Sequence, residues 1–327
     1  MKLLELELQN FRGAPDGVYS FRHPQSGAPL PLVLVAGGAA SGKTSFLEAI
    51  VALKESVGSY GAPPSPGRLL RSGAQAGYVK GTWLLTPAEM VLAESAEAVR
   101  ATALPLGPGQ PPPHDPGLER LFAAYSRDPG QCKFEYFDSG RRLTPRVGMD
   151  PDQGGAKHLR LTRRPDKYAG LEQVWLRLAA EDGLLALQQT SAQGILLRAD
   201  QRDSLAPYKA TIAALAPTLR LAGVGLDGDA PRAWFEQPDG ATVELYDLSD
   251  GEQQAVLLAA MHHHLGLQTS VVLLDMPELF QDEVGQARLL QGLAGLMQKG
   301  QLIAATGAGA VVEAAAGHPI LRLDRGQ

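Results

Sequence analysis

Gly37-Gly38-Ala39-Ala40-Ser41-Gly42-Lys43-Thr44 follows the apolar run Leu32-Val33-Leu34-Val35 and opens an apolar-periodic segment from Phe46 to Leu53. Strand, glycine-rich loop and helix in that order are the setting in which GxxxxGK[ST] cradles phosphates. Glycines let successive backbone N–H groups turn toward phosphate oxygens with no Cβ in the way. The helix after the loop adds the positive end of its dipole. Lys43 brings a point charge to the β- and γ-phosphates, and the Thr44 hydroxyl is placed for Mg2+. A plain glycine-rich turn would explain the glycines. It would not explain a lysine and a hydroxyl at fixed offsets between a buried strand and a helix.

Upstream of the loop, Leu3 to Leu8 alternates apolar and acidic residues in its latter part and reads as a half-buried strand. Asn10-Phe11-Arg12-Gly13 ends it in a turn, and a short strand is expected over Val18 to Phe21. Downstream, Gly58 to Gly67 (GSYGAPPSPG) marks the exit from the core. Tyr78 to Leu85 reads as a strand. Thr86-Pro87-Ala88-Glu89 matches a capping box with proline in the first turn, and its helix is expected to run to about Ala103. Leu104 to Gly117 (LPLGPGQPPPHDPG) reads as an extended linker, before a helix over Leu118 to Arg127 and a strand over Lys133 to Phe137. Residues 58–170 are therefore expected to form an inserted lobe, with 1–57 and 171–327 forming the core.

The later chain alternates helices and strands. Leu171 to Glu181 and Ser204 to Leu215 read as helices, and Trp234 to Tyr246 as a hairpin turning at Pro238-Asp239-Gly240. A helix is expected from about Gly251 to Leu265, a buried strand at Val271 to Asp275, an amphipathic helix over Asp282 to Lys299, and short strands at Gln301 to Thr306 and Ile320 to Leu323. Strands alternating with helices on both sides of the phosphate loop predict a mostly parallel α/β sheet, with antiparallel strands at the N-terminus.

The chain has 327 residues and a net charge of −5, so no global basic field draws it to nucleic acid or acidic lipid. Cys132 is its one cysteine, which excludes an internal disulfide and a cysteine-rich zinc site and fits a reducing compartment. The N-terminus carries charge within its apolar stretch, unlike a signal peptide, and no apolar run approaches the ~20 residues of a membrane span. A cytoplasmic location without membrane contact is the expectation.

Two further elements carry chemistry. Leu273-Leu274-Asp275 ends an apolar strand in a carboxylate, the place from which an acid orients Mg2+ in phosphate-loop proteins. Leu248-Ser249-Asp250-Gly251-Glu252-Gln253 opens a helix: Ser249 caps it and Gly251 permits close backbone approach. Ser249 lies 26 residues before Asp275, with one helix between.

Taken together, these residues resemble ABC-type ATPases of the branch that holds RecF, SMC, double-strand-break repair and OLD-type proteins rather than transporters. The signature-like Leu248 to Gln253, the Asn10-Phe11-Arg12 start, the hairpin before the signature and Leu273 to Glu278 as Walker B all match, covering about residues 1–56 and 232–327. The resemblance implies a P-loop ATPase core using ATP and Mg2+. Gly37 to Thr44, with Ser45, would bind the nucleotide, and Thr44 and Asp275 the Mg2+. Ser249, Gly251 and Glu252 of a second subunit would close over the γ-phosphate in a head-to-tail pair, homodimeric or heteromeric. Arg12 is either a nucleotide neighbour or a surface arginine. Ala39 and Ala40 stand where the family often has Asn and Gly.

Two positions depart from the family. Met276 stands where a catalytic Glu follows the Walker B Asp, and a thioether orients no water. Glu278, two residues on, would share its face if the strand continued, which makes Glu278 with Asp275 the catalytic candidates. Gly307 stands where a switch His follows the next strand. Hydrolysis is therefore expected to be slow or partner-dependent. The implied function is an ATP-driven switch in DNA maintenance or defence against mobile elements, the alternative being a regulatory ATP-binding subunit with little turnover.

Successive histidines on a helix point about 100° apart, so His262-His263-His264 cannot converge on one metal. Arg141, Arg142, Arg146, Lys157, Arg160, Arg163, Arg164 and Lys167 form the one basic cluster. It reads equally as a DNA-backbone footprint, through Arg141, Arg142, Arg160, Arg163 and Arg164, and as a solvated face.

Overall fold

The computed structural model describes residues 1–58, 65–107, 109, 114–127, 134–144, 168–193, 203–297 and 299–323. They fall into two compact units. One is built from 1–140 and 264–323, the other from 141–144 and 168–263.

In the first unit, the apolar runs form a parallel sheet. Its strands are β3 (Leu32–Ala36), β6 (Phe134–Phe137), β10 (Val271–Asp275), β11 (Gln301–Thr306) and β12 (Ile320–Arg322), in the order β12-β3-β11-β10-β6. Every residue of β3, β6, β10 and β11 is buried, as expected of strands covered on both faces. Helix α1 (Lys43–Val57) contacts β10 and β11 of this sheet and buries Phe46, Leu47, Ile50 and Leu53 in the unit's core. A second sheet is antiparallel, in the order β2-β1-β4-β5. It comprises β1 (Lys2–Gln9), β2 (Gly17–Ser20), β4 (Gly77–Leu84) and β5 (Val99–Leu106). Helices α2 (Pro87–Ala93), α3 (Pro116–Arg127), α7 (Glu283–Leu296) and α8 (Gly309–Ala314) complete the unit.

The stretch expected to be an inserted lobe contributes strands to both sheets. β4 pairs with β1 from Lys2↔Leu84 to Gln9↔Tyr78, and β6 pairs with β10 from Val271↔Phe134 to Leu274↔Phe137. Trp83 and Phe134 are buried in the same core as Leu3 and Ile50. The helix begun at Thr86 has the predicted capping box but stops at Ala93, where Glu94 turns left-handed (φ 49°). The next segment, Val99–Leu106, is strand rather than helix or linker: its backbone pairs with β4 along its whole length, and alternate residues in its second half are buried. Residues 59–64, 110–113, Cys132 and Lys133 lie outside the described residues.

The second unit packs α4 (Leu171–Gln193), α5 (Ala206–Leu215) and most of α6 (Asp250–His264) with a three-stranded antiparallel sheet, β7-β8-β9. Its strands are β7 (Arg220–Asp227), β8 (Ala230–Glu236) and β9 (Thr242–Glu244). β8 and β9 are the predicted hairpin, and β7 has no counterpart among the expected strands. Trp175 of α4 anchors the core, 5.9 Å from the Tyr208 ring and 6.3 Å from that of Phe235. Among the described residues, no helix is long and apolar enough to cross a membrane.

Candidate nucleotide site

Register brings the site together. β3, β10 and β11 are parallel neighbours, so their carboxyl ends lie side by side, where open α/β sheets bind ligands. Asp275 is beside Ala305, and Thr306 is beside Ala36. The phosphate loop leaves β3, Asp275 ends β10, and Thr306-Gly307 ends β11.

The loop's glycines are needed where backbone crowds them. A Cβ on Gly42 would come within 2.2 Å of the Gly13 carbonyl oxygen, and Gly42 has φ +94°. A Cβ on Gly37 would meet Leu323 O at 2.7 Å. Gly38, Ala39 and Ala40 are exposed, while Ser41 and Lys43 are buried. Ala40 holds φ +57°, a left-handed conformation that costs an alanine about 1 kcal/mol. This is the position where the resembling family often carries glycine.

Lys43 Nζ donates to Gly37 O at 2.8 Å and Gly38 O at 2.7 Å, spanning the loop mouth. Thr44 Oγ1 donates to Asp275 Oδ2 at 2.8 Å. A hydroxyl and a carboxylate side by side are the hard oxygen donors that Mg2+ takes. The backbone cradle, the lysine and this oxygen pair fit a nucleoside triphosphate with its Mg2+. The bound Mg2+ would neutralise phosphate charge. Lys43 and the loop amides would hold the phosphates, and Thr44 and Asp275 the metal. Ser45 faces Gly13, whose added Cβ would lie 3.6 Å from Ser45 Oγ.

Arg12 also lies on this side of the fold, in the turn after β1. Its Nη1 donates to Glu48 Oε2 of α1 at 2.6 Å, and its backbone takes φ +39°. The side chain is 39% exposed, so this is a surface ion pair anchored to the loop's helix.

Glu278 reaches the site by a different route from the one expected. The strand ends at Asp275, and Met276 turns left-handed (φ +52°), with its N–H donating to Ala305 O at 2.8 Å. The chain then makes a tight turn, in which Leu279 N donates to Met276 O. The turn delivers the Glu278 carboxylate to the end of β11, where Thr306 Oγ1 donates to Oε2 at 2.9 Å and Gly307 N to Oε1 at 3.0 Å. A Cβ on Gly307 would lie 3.9 Å from both Glu278 Oε1 and Lys43 Nζ, so carboxylate and ammonium converge there. Thr306 is a site residue that sequence reasoning misses. Its only sequence signal is a hydroxyl at the end of a buried strand. Asp138 is missed in the same way: it comes directly after β6 at the same sheet edge, is buried, and accepts from Gly140 N at 2.7 Å.

The signature-like turn lies in the second unit. Ser249 Oγ donates to Glu252 Oε2 at 2.7 Å, Ser249 N donates to the same oxygen at 3.0 Å, and Glu252 N donates to Ser249 Oγ at 3.4 Å. This is a capping box that gives Glu252 a structural task. Gly251 is the second residue of α6.

The basic cluster is only partly described. Arg141 is 2% exposed, with its carbonyl accepting from Gln254 Nε2 at 3.1 Å, so burial withdraws it from any surface footprint. Arg142 is exposed. Arg146, Lys157, Arg160, Arg163, Arg164 and Lys167 lie outside the described residues. In the histidine run, His262 is buried, and burial together with the neighbouring His263 lowers its pKa to about 4. The His263 ring pairs with the Thr211 hydroxyl.

No protein-family model matches the sequence, and no curated protein matches it. Solved structures do match. One is an SMC head bound to the C-winged helix domain of ScpA: TM-score 0.57, 14% identity, 96% of this chain and 92% of that one covered. Another is an SMC head with an extended coiled coil, bound to the C-terminal domain of ScpA derived from Pyrococcus furiosus: TM-score 0.56, 13% identity, 96% and 91% covered. At such identities the likeness is one of fold, and it agrees with the parallel sheet, the antiparallel sheet and the phosphate loop described above. This chain therefore has the architecture of an SMC-like head, the ABC-type ATPase fold in its non-transporter form.

Proposed function

We propose that this chain binds ATP with Mg2+ and acts as a switch that pairs with a second subunit in a nucleotide-dependent way, in the manner of RecF- and OLD-type proteins. The observation that carries the reading is the meeting of Thr44, Asp275, Lys43 and Glu278 at the mouth of one glycine loop. The fold supports it, since the similar solved structures are SMC heads bound to a domain of ScpA. Glu278, held by Thr306 and Gly307, is the candidate to orient the attacking water, and Asp275 with Thr44 would hold the Mg2+. Ser249, Gly251 and Glu252 would serve the nucleotide of a partner subunit. DNA maintenance or defence against mobile elements is the setting this reading favours.

A regulatory subunit with little turnover is the second reading. Met276 favours it: the residue directly after Asp275 presents a thioether on a left-handed turn, where it can accept no proton. The test is ATP turnover with and without duplex DNA, alongside molar mass with and without ATP. Lys43→Ala is expected to weaken ATP binding by about two orders of magnitude, as loss of charge-assisted contacts predicts. Unchanged ATP binding in that variant would overturn both readings. Tight binding with no turnover under any DNA condition would select the second.

A further inference from the structure

The phosphate loop is seated on the turn that follows β1. Two residues of that turn, Asn10 (φ +55°) and Arg12 (φ +39°), are left-handed, and at Arg12 the surroundings must enforce it. The turn meets the loop's helix at residues three apart. The Gly13 carbonyl is the atom that a Cβ on Gly42 would strike, Ser45 Oγ lies beside Gly13, and Arg12 pairs with Glu48. Phe11 and Ala14 are fully buried, so the turn is wedged into the core.

What holds the turn comes from the segment ahead of β4. Arg12 N donates to Leu69 O at 3.0 Å, Arg71 N donates to Asn10 O at 2.8 Å, and Phe11 forms an isolated antiparallel bridge with Leu70. The Arg71 side chain then grips the turn. Its Nε donates to Arg12 O at 2.9 Å and its Nη2 to Ala14 O at 2.5 Å, the carbonyls on either side of Gly13. The same guanidinium donates to Asp16, from Nη2 to Oδ1 at 2.8 Å and from Nη1 to Oδ2 at 3.4 Å. Asp16 Oδ1 also accepts from Asn10 N at 2.8 Å, which ties the two ends of the turn together.

The side chains of Arg71 and Asp16 are 37% and 43% exposed, and an ion pair at such exposure contributes little by itself. The carbonyl bonds add what the ion pair does not. A guanidinium is planar and carries its N–H groups in a fixed fork, so one side chain spans Arg12 O, Ala14 O and the carboxylate together. A lysine ammonium brings the same charge to a single point and cannot reproduce that span. Holding the peptide units on both sides of Gly13 fixes where the Gly13 carbonyl stands against Gly42.

We infer that Arg71 is a positioning residue for the phosphate loop: by gripping Arg12 O and Ala14 O it fixes the turn on which Gly42 is seated, and with it the shape in which the loop amides meet phosphate. Its effect runs through the turn and not through its charge. The inference rests on the proposed binding of ATP at the loop and adds what keeps that loop in its binding shape.

The variants that test it are Arg71→Ala and Arg71→Lys. Three quantities are read: affinity for a fluorescent ATP analogue with Mg2+, amide exchange over 10–16 and over 38–46, and the urea midpoint. Arg71→Ala should weaken the analogue about tenfold and speed exchange over both stretches by a similar factor, the loss expected for hydrogen bonds from a charged donor. Arg71→Lys should lose nearly as much although the charge is kept, and it carries the test should Arg71→Ala fail to fold. Asp16→Asn, which removes the ion pair and leaves the carbonyl bonds, should keep affinity within about twofold of wild type. Full affinity in Arg71→Lys would overturn the inference, because charge alone would then suffice. A lower urea midpoint and faster exchange over 10–16, with affinity and exchange over 38–46 unchanged, would also overturn it, leaving Arg71 a structural clamp. Wild-type protein that binds no ATP would sink the proposed function instead, and the exchange rates over the two stretches would still decide whether Arg71 seats the loop.

Discussion

The phosphate loop and the signature turn are both glycine-bearing turns at a helix start, yet they are held in opposite ways. The loop is fixed by residues far away in sequence: Gly42 is pressed on Gly13, Gly37 on Leu323, and Thr44 is bonded to Asp275 across 231 positions. The signature turn is fixed from within, by Ser249 with Glu252 and by Gln253 with Leu248. A loop locked by tertiary contacts is pre-organised, so its binding energy is not spent on ordering it. A turn locked by its own side chains keeps its shape more independently of the rest of the fold and yields to single local changes.

The largest effect should come from Gly42→Ala. The new Cβ would meet backbone at 2.2 Å in a left-handed conformation, and a stability loss on the order of 3 kcal/mol is expected in urea unfolding. A loss under about 1 kcal/mol would mean that the loop relaxes and is not locked. Next is Glu278→Gln, expected to lower any ATP turnover about a hundredfold while leaving ATP affinity within a few-fold. Turnover equal to wild type would remove Glu278 from the chemistry and leave it a bracket between Thr306 and Gly307.

In the second unit, the buried His262 makes stability depend on pH. Its folded pKa, about 4, lies below the ordinary 6.5, so its contribution is intact above pH 6.5 and is lost as pH falls toward 4. Moving from pH 8 to pH 5 should cost about 2 kcal/mol through this group. His263, whose pKa burial also lowers, acts in the same direction. His262→Leu should flatten the profile in urea melts, and an unchanged slope would place the acid sensitivity elsewhere. The smallest effect is Ser249→Ala, about 1 kcal/mol for a lost cap. If pairing fell far more than stability, Ser249 would be acting on a ligand as well as on its own helix.

Much of this is legible in the sequence. The loop, the Asp275 strand, the Thr86 capping box and the hairpin rest on short-range patterns: apolar runs, fixed offsets and turn residues. Those patterns do not say which strand a segment will pair with. Residues 77–106 read as inserted because prolines and glycines flank them, yet β4 pairs along the whole of β1. Arg141 groups with surface arginines by sequence, yet it is 2% exposed, because local charge density carries no information about burial.

By itself, then, the sequence determined the phosphate loop, its lysine and hydroxyl, the acid that ends β10, and the signature-like turn. Only the tertiary structure decided that Glu278 arrives at the end of β11 and that Thr306 and Gly307 hold it there. Both depend on the parallel register of β10 with β11, which joins Met276 N to Ala305 O and lets the left-handed turn at Met276 aim Glu278 at that edge. Such events are set by packing that joins distant segments, and no local period or spacing encodes them.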